Sequence, residues 1–300
     1  MTKPLVTRPP VTRPPGARPL AALLDLEDTG GDVLRGGPRG PAGERAFGGA
    51  VVARSLAAAA ATVDADRAVH SLHAYFLRPG DDAADTDLRV TRTRDGGSYT
   101  TREVAAEQGG RTILVLTASF TRTAPGPEHQ VPALEATAPE SLPPLAAALG
   151  DAPAAAREWL DWLDRRHPFD FRFDGPLPRV AAGRGEAAAP CQRFWFRSRE
   201  TLPDAPLAHV VALAYASDML LLATAVAPHA TVIGAPGLAT ASLDHAVWFH
   251  GPARADDWLF CEQESTWAAG GRAMCSARVF DRAGRLVLTV AQEGMVRTAR

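Results

Sequence analysis

Apolar and polar residues are distributed along this chain in two successive passes of the same kind. From Gly48-Gly49 the sequence runs AVVARSLAAAAATV, a run of strong helix formers, and the two glycines permit close backbone approach where the predicted helix begins. Extended segments follow it. Residues 68–77 mix apolar and polar positions and stop at Arg78-Pro79-Gly80, and residues 88–94 alternate up to the turn Asp95-Gly96-Gly97. Residues 99–107 and 111–120 flank Gly109-Gly110 as a hairpin. The pattern predicts a helix followed by an antiparallel sheet of about four strands. Ahead of it, residues 20–26 read as a short helix and the Gly/Pro-rich stretch to Gly43 as a loop.

The second pass opens with residues 210–228, VVALAYASDMLLLATAVAP, apolar for nearly the length of a membrane span. Asp218 stands at the middle, where a carboxylate costs about 2.5–3.5 kcal/mol on insertion scales, and the flanks are His209 and His229 in place of Lys or Arg. A helix buried in protein is the better reading, and burial disfavours the charged carboxylate and raises its pKa. Further on, His245-Ala246-Val247-Trp248-Phe249 lies 172 residues beyond His73-Ala74-Tyr75-Phe76-Leu77, and the hairpin glycine Gly284 lies 174 beyond Gly110. Two near-equal offsets indicate a tandem duplication. In each copy an apolar helix precedes a long strand and a later hairpin. The expected fold is therefore α+β, with an antiparallel sheet wrapped round one helix in each of two copies. Between them, Pro/Ala-rich residues 126–190 read as a linker with a helix near 154–166, Trp159, Trp162 and Leu163 sharing a face. The expected domains are 19–125 and 191–300, preceded by a disordered Pro/Arg arm at 1–18 that carries the direct repeat VTRPP.

Hydrophobic residues fill 46% of the 300 positions, ample for such cores. A formal net charge of −2 offers no concentrated positive surface, so nucleic acid is not an expected partner; a small molecule or another chain is. Cys191, Cys261 and Cys275 are isolated from one another, which argues against a disulfide framework or a paired-thiol metal site. The N-terminal stretch has no apolar run of signal-peptide length, and the expected location is cytoplasmic.

Common catalytic signatures are missing: the chain has no GxSxG elbow, P-loop or HExxH helix. Gly183-Arg184-Gly185-Glu186-Ala187-Ala188 matches only the loosest dinucleotide fingerprint, and Pro190 stops any helix behind it. The eight histidines never reach ligand spacing with acidic residues, so neither metal nor organic cofactor is expected. Three polar groups stand out in apolar elements of the second copy: Asp218 in the buried helix, Ser242 at the start of the long strand, and Gln292 in the final strand. An aspartate of raised pKa suits a general base for water, and a hydroxyl with an amide can hold and align that water. Spacing alone equally allows Asp218 to cap a helix while Ser242 and Gln292 satisfy nearby backbone. His73 and His245 occupy similar strands, a duplication that suggests packing or hydrogen bonding rather than catalysis.

The segments AFGGAVVA (46–53), VHSLHAYFLRPGD (69–81), ALAYASDML (212–220), ATASLDHAVWFH (239–250) and TVAQEG (289–294) carry a resemblance over essentially the whole chain after the arm. The sequence resembles the acyl-CoA thioesterase II family, the TesB-type double hotdog thioesterases. The resemblance implies two hotdog folds in one chain, each a long helix wrapped by an antiparallel sheet, that hydrolyse fatty acyl-CoA, with acyl-CoA as the partner molecule. It carries the family's catalytic Asp, Thr or Ser, and Gln onto Asp218, Ser242 and Gln292. Gly48-Gly49 becomes a candidate source of backbone donors for the oxyanion, close helix–sheet packing being the alternative. Arg78 is a candidate contact for CoA phosphates or, alternatively, the anchor of its turn. Many members have Thr in place of Ser242 and Gln in place of Ala50. A non-catalytic acyl-CoA binding protein and a hotdog hydratase or dehydratase stay open as alternatives, and a homo-oligomer is plausible because hotdog sheets present edges and faces that pair.

Overall fold

The computed structural model describes residues 19–149 and 152–298; the arm expected at 1–18 lies outside them. In chain order the elements are β1 (Leu26–Asp28), β2 (Val33–Gly36), α1 (Gly48–Ala60), β3 (Ala68–Phe76), β4 (Thr86–Asp95), β5 (Tyr99–Gln108) and β6 (Arg111–Thr121). They continue with α2 (Leu145–Ala148), α3 (Ala154–Arg166), β7 (Phe169–Phe173), α4 (Pro178–Gly183), β8 (Cys191–Ser198), α5 (Pro206–Ser217) and α6 (Ala223–Val226). The last are β9 (Leu238–Ser242), β10 (Asp244–Phe249), β11 (Leu259–Ala269), β12 (Arg272–Phe280) and β13 (Leu286–Thr298).

All these strands join one antiparallel sheet in the order β1-β2-β4-β5-β6-β3-β10-β13-β12-β11-β8-β7, with β9 added against β13. The halves meet where β3 pairs with β10, Ala74 opposite His245 and Leu72 opposite Val247. Equivalent strands of the two copies thus face each other across the seam, and neither half leaves that edge unpaired. The helices α1 and α5 lie on the concave side and pack on one another. Nearly every residue of α1 is buried, because its alanines let it sit close to β4, β5 and β6 while Val52 and Leu56 fill the interior. Full burial of each such side chain contributes about 1.5–3 kcal/mol.

The duplication is present, but its register differs from the one the histidines suggest. His73 is exposed, whereas His245 is completely buried. Side chains alternate between faces, so a slip of one residue exchanges core for solvent along a whole strand. The spacing that keeps inward residues together is 173, which matches Leu72 with His245, Ala74 with Val247 and Phe76 with Phe249. His73 instead meets the edge of Trp248 on the outer face.

Two stretches carry structure that their sequence pattern hides. Residues 20–26 form only a single 3-10 turn, Ala21–Leu23, and the expected loop contains the β1–β2 hairpin. Strands of three and four residues are too short to display a period of two. Within 126–190, β7 extends the sheet beside β8, with Phe169, Phe171 and Phe173 buried and Asp170 and Arg172 turned outward. That alternation is legible in FDFRF once the Pro/Ala-rich surroundings are set aside. On α3 the buried stripe is Ala156, Leu160 and Leu163, while Trp162 is 46% exposed and not part of it. The apolar run 210–228 is broken into α5 and α6 at Asp218. No helix among the described residues is long and apolar enough to cross a membrane.

One buried cation fastens the first half. Arg102 on β5 is almost wholly enclosed and donates to the hydroxyl and carbonyl of Thr62, just past α1, to the carbonyls of Arg94 and Thr101, and to Asp95. Arg102→Ala strands several of these carbonyls and should destabilise the fold by about 3 kcal/mol. Arg35→Ala, which removes a surface partner of Asp87, should shift the unfolding midpoint little. Urea melts of both variants check this, and equal midpoints would contradict it.

Candidate active site

The site begins where α5 stops. Pro206 opens this helix at a position that needs no amide hydrogen, and Ser217 ends it. Asp218 is its C-cap, followed by Met219 and then Leu220 at φ +65°, a left-handed conformation that is costly for a leucine. Two buried glutamines, opposite one another on β8 and β11, hold the turn in place. The amide of Gln263 donates to the carbonyl of Met219 at 2.9 Å. The amide of Gln192 donates to the carbonyl of Leu220 at 3.0 Å and to Gln263 Oε1 at 2.6 Å. This clamp points the Asp218 side chain at the start of α1.

There the Gly49 N–H donates to Asp218 Oδ2 at 2.8 Å, at the positive end of a helix dipole. Both glycines are required by proximity. A Cβ on Gly48 would lie 2.7 Å from Asp218 Oδ2, and one on Gly49 would collide with the Tyr215 carbonyl and the Phe47 ring. The expected role of the pair is thereby divided. Gly49 has its N–H committed to the carboxylate and is not free for an oxyanion. Gly48, the first helical residue, lines the cavity, and its N–H has no acceptor among the described residues.

Ser242 and Gln292 do converge on Asp218. Ser242 is the last residue of β9, separated from β10 by Leu243, instead of starting the long strand as expected. Its hydroxyl donates to Asp218 Oδ1 at 3.4 Å and accepts from Gln292 Nε2 at 3.0 Å. Gln292, on β13, accepts at Oε1 from His245 Nδ1 at 2.6 Å, and His245 Nε2 lies 2.7 Å from the Ser217 hydroxyl, which also reaches the Ala214 carbonyl at 2.9 Å. The donors therefore run in one direction, from His245 through Gln292 and Ser242 to the carboxylate, an assignment made from the network itself. Burial pushes His245 down to about 4, against the pull of Gln292, which keeps the ring neutral near pH 7. Burial drives the Asp218 carboxyl up to about 7, and the bonds from Gly49, Ser242 and Gln292 and the charge of Arg45 pull it back only in part.

Asp218, Ser242, Gln292 and Gly48 share the wall of one cavity of about 1150 Å³. Phe76, Leu114, Leu222 and Met295 supply apolar lining, and Trp159 and Trp162 of α3 close one side. Arg78 also borders it, but its guanidinium donates to the Thr112 carbonyl at 2.6 Å, as a turn anchor would. Ala50 faces away, into a void of about 20 Å³ beside Arg54 and Asp82. Sequence reasoning assigned His245 no more than packing or hydrogen bonding and missed Gln192 and Gln263. The available signal was a period of two that places Gln192 on the face of Phe194 and Phe196. Among the described residues no cluster of ligand-type side chains forms a metal site.

The chain is similar to known proteins over most of its length. Residues 36–122 match the family model described as the acyl-CoA thioesterase N-terminal domain, and residues 139–296 match that of the C-terminal domain. Acyl-coenzyme A thioesterase 8 of Rattus norvegicus is 35% identical over 93% of this chain and 89% of its own length. Acyl-CoA thioesterase 2 of Haemophilus influenzae is 32% identical over 93% and 96%. The crystal structure of acyl-CoA thioesterase II TesB2 from Mycobacterium marinum superposes with a TM-score of 0.75 at 39% identity, covering 93% of this chain and 98% of that one.

The raised pKa of Asp218 has a sign that stability can test. The folded state holds the Asp218 proton more tightly than the unfolded chain does, so this residue's contribution to stability falls as pH rises from about 4 to about 7. Asp218→Asn does not titrate. Its Tm should therefore gain on that of the unsubstituted protein across this window and hold the difference above it. A Tm difference independent of pH between 5 and 8 would mean the carboxyl is not desolvated.

Proposed function

The chain belongs to the TesB-type acyl-CoA thioesterase II family, and on that premise we propose that its cavity hydrolyses fatty acyl-CoA to free fatty acid and CoA, with Asp218 activating the attacking water. The observation that carries this reading is a desolvated carboxylate of raised pKa, on a cavity wall, within one hydrogen-bonded unit with Ser242 and Gln292.

Water held by the Ser242 hydroxyl and the Gln292 amide gives a proton to Asp218 as its oxygen attacks the thioester carbonyl carbon. The carbonyl π electrons move to oxygen, and the Gly48 N–H, at the dipole-positive end of α1, is the donor placed to meet that oxyanion. Collapse breaks the carbon–sulfur bond. The proton on Asp218 passes to the departing thiolate, which leaves the carboxylic acid and the free thiol with no acyl-enzyme. His245 acts through Gln292: it holds Oε1, so that Nε2 is the atom presented to Ser242. Arg78, tied to Thr112, serves the turn more than a phosphate.

Thiol release from acyl-CoAs of increasing chain length tests the assignment. Asp218→Asn should lower kcat by at least about a hundredfold while the circular dichroism spectrum stays unchanged. Ser242→Thr should be mild and Ser242→Ala should impair turnover. Acyl-CoA binding without thiol release would favour a binding protein, and water addition across a C=C bond would favour a hydratase.

The pH dependence follows from the base. Below about 7 the carboxyl carries its proton and cannot accept another, so kcat/KM should rise with pH and level off above that value. A profile flat between pH 5 and 8 would remove Asp218 as the base.

A further inference from the structure

Arg179, on α4, lines the same cavity as Asp218, together with Arg45, Arg78 and Arg166. Arg166, also on the wall, is neutralised by Glu44 and Asp82. Arg179 has no carboxylate partner among the described residues. Its guanidinium carbon lies over the Trp159 ring, 4.6 Å from the centroid, and Nη1 alone donates, to the Ile233 carbonyl at a long 3.3 Å. With one long bond made among the described residues, most of the N–H donors of the group are left for a planar or tetrahedral anion.

A half-buried cation without a counter-ion is disfavoured, and desolvation accordingly depresses the Arg179 pKa to about 10. Its position fits a ligand that reaches past the reacting centre. Ile233 lies ahead of β9, whose last residue, Ser242, borders the same cavity, so Arg179 and Ser242 reach its wall from separate segments.

We propose that Arg179 is an anion-recognition residue of this cavity, docking a phosphate or carboxylate of the substrate, with the Trp159 ring packed against its guanidinium. This rests on the thioesterase reading. The shared chemistry is an anionic oxygen group, and its two sources are the phosphates of CoA and a carboxylate at the far end of the acyl chain.

Three substrates separate the sources: decanoyl-CoA, decanoyl-pantetheine, which lacks the phosphates, and sebacoyl-CoA, which adds a terminal carboxylate. Arg179→Gln should raise KM at least about tenfold on the substrate bearing the recognised anion, with kcat nearly unchanged, and Arg179→Lys should recover part of the loss. A loss on decanoyl-CoA that vanishes on decanoyl-pantetheine identifies the phosphates; a loss confined to sebacoyl-CoA identifies the carboxylate. The same KM on all three substrates, or the same loss on all three, overturns the proposal. Isothermal titration of the three compounds into Asp218→Asn, with and without Arg179→Gln, reads the contact without turnover. Failure of hydrolysis is thereby told apart from failure of anion recognition.

Discussion

The hydrogen bond from the Gly49 amide to the Asp218 carboxylate is the contact on which the site is built. It joins the start of the first half's helix to the end of the second half's helix, residues far apart in sequence. For it to form, α1 and α5 must approach until the Tyr215 carbonyl and the Asp218 oxygen occupy the space of two side chains, which only glycine leaves open. The same closeness takes the Asp218 carboxyl partly out of water and lifts its pKa. The packing of the two helices and the raised pKa are consequences of one approach.

That constraint also explains why, among the described residues, the proposed site is assembled once from a duplicated chain. In the structural register, the first-half positions corresponding to His245 and Gln292 are Leu72 and Ala118, paired with each other across β3 and β6. The C-cap corresponding to Asp218 is Ala61. Where α1 opens with two glycines, α5 opens with Pro206, which has no amide hydrogen to offer. The first half keeps the helix start that receives a carboxylate, the second keeps the carboxylate, and neither half holds a full set.

The polar network carries a cost that the surrounding core offsets. Leu220 sits in a conformation leucine avoids, Asp218 is half-buried, and His245 is fully buried and neutral. Gln192 and Gln263 spend their amides on the two carbonyls of that turn, so strain beside Asp218 persists as geometry instead of relaxing. Strong local rules are broken at this turn and seldom elsewhere, which is how a functional constraint shows itself in an otherwise consistent fold.

Much of this was legible in the chain itself. Periodicity located α1, the four strands after it and the apolar run around Asp218, because burial on one face leaves a local record in residue order. Asp218, Ser242 and Gln292 were visible as polar residues in apolar elements, and motif resemblance gave them a shared purpose. Tertiary structure decided the rest: the pairing of β3 with β10, the one-residue shift that buries His245 and exposes His73, the hairpin β1–β2 and strand β7, and the commitment of the Gly49 amide to Asp218. Residue order records which face of an element is apolar. Which amide meets which carboxylate depends on how two distant helices are brought together, and that is settled only when the whole sheet closes around them.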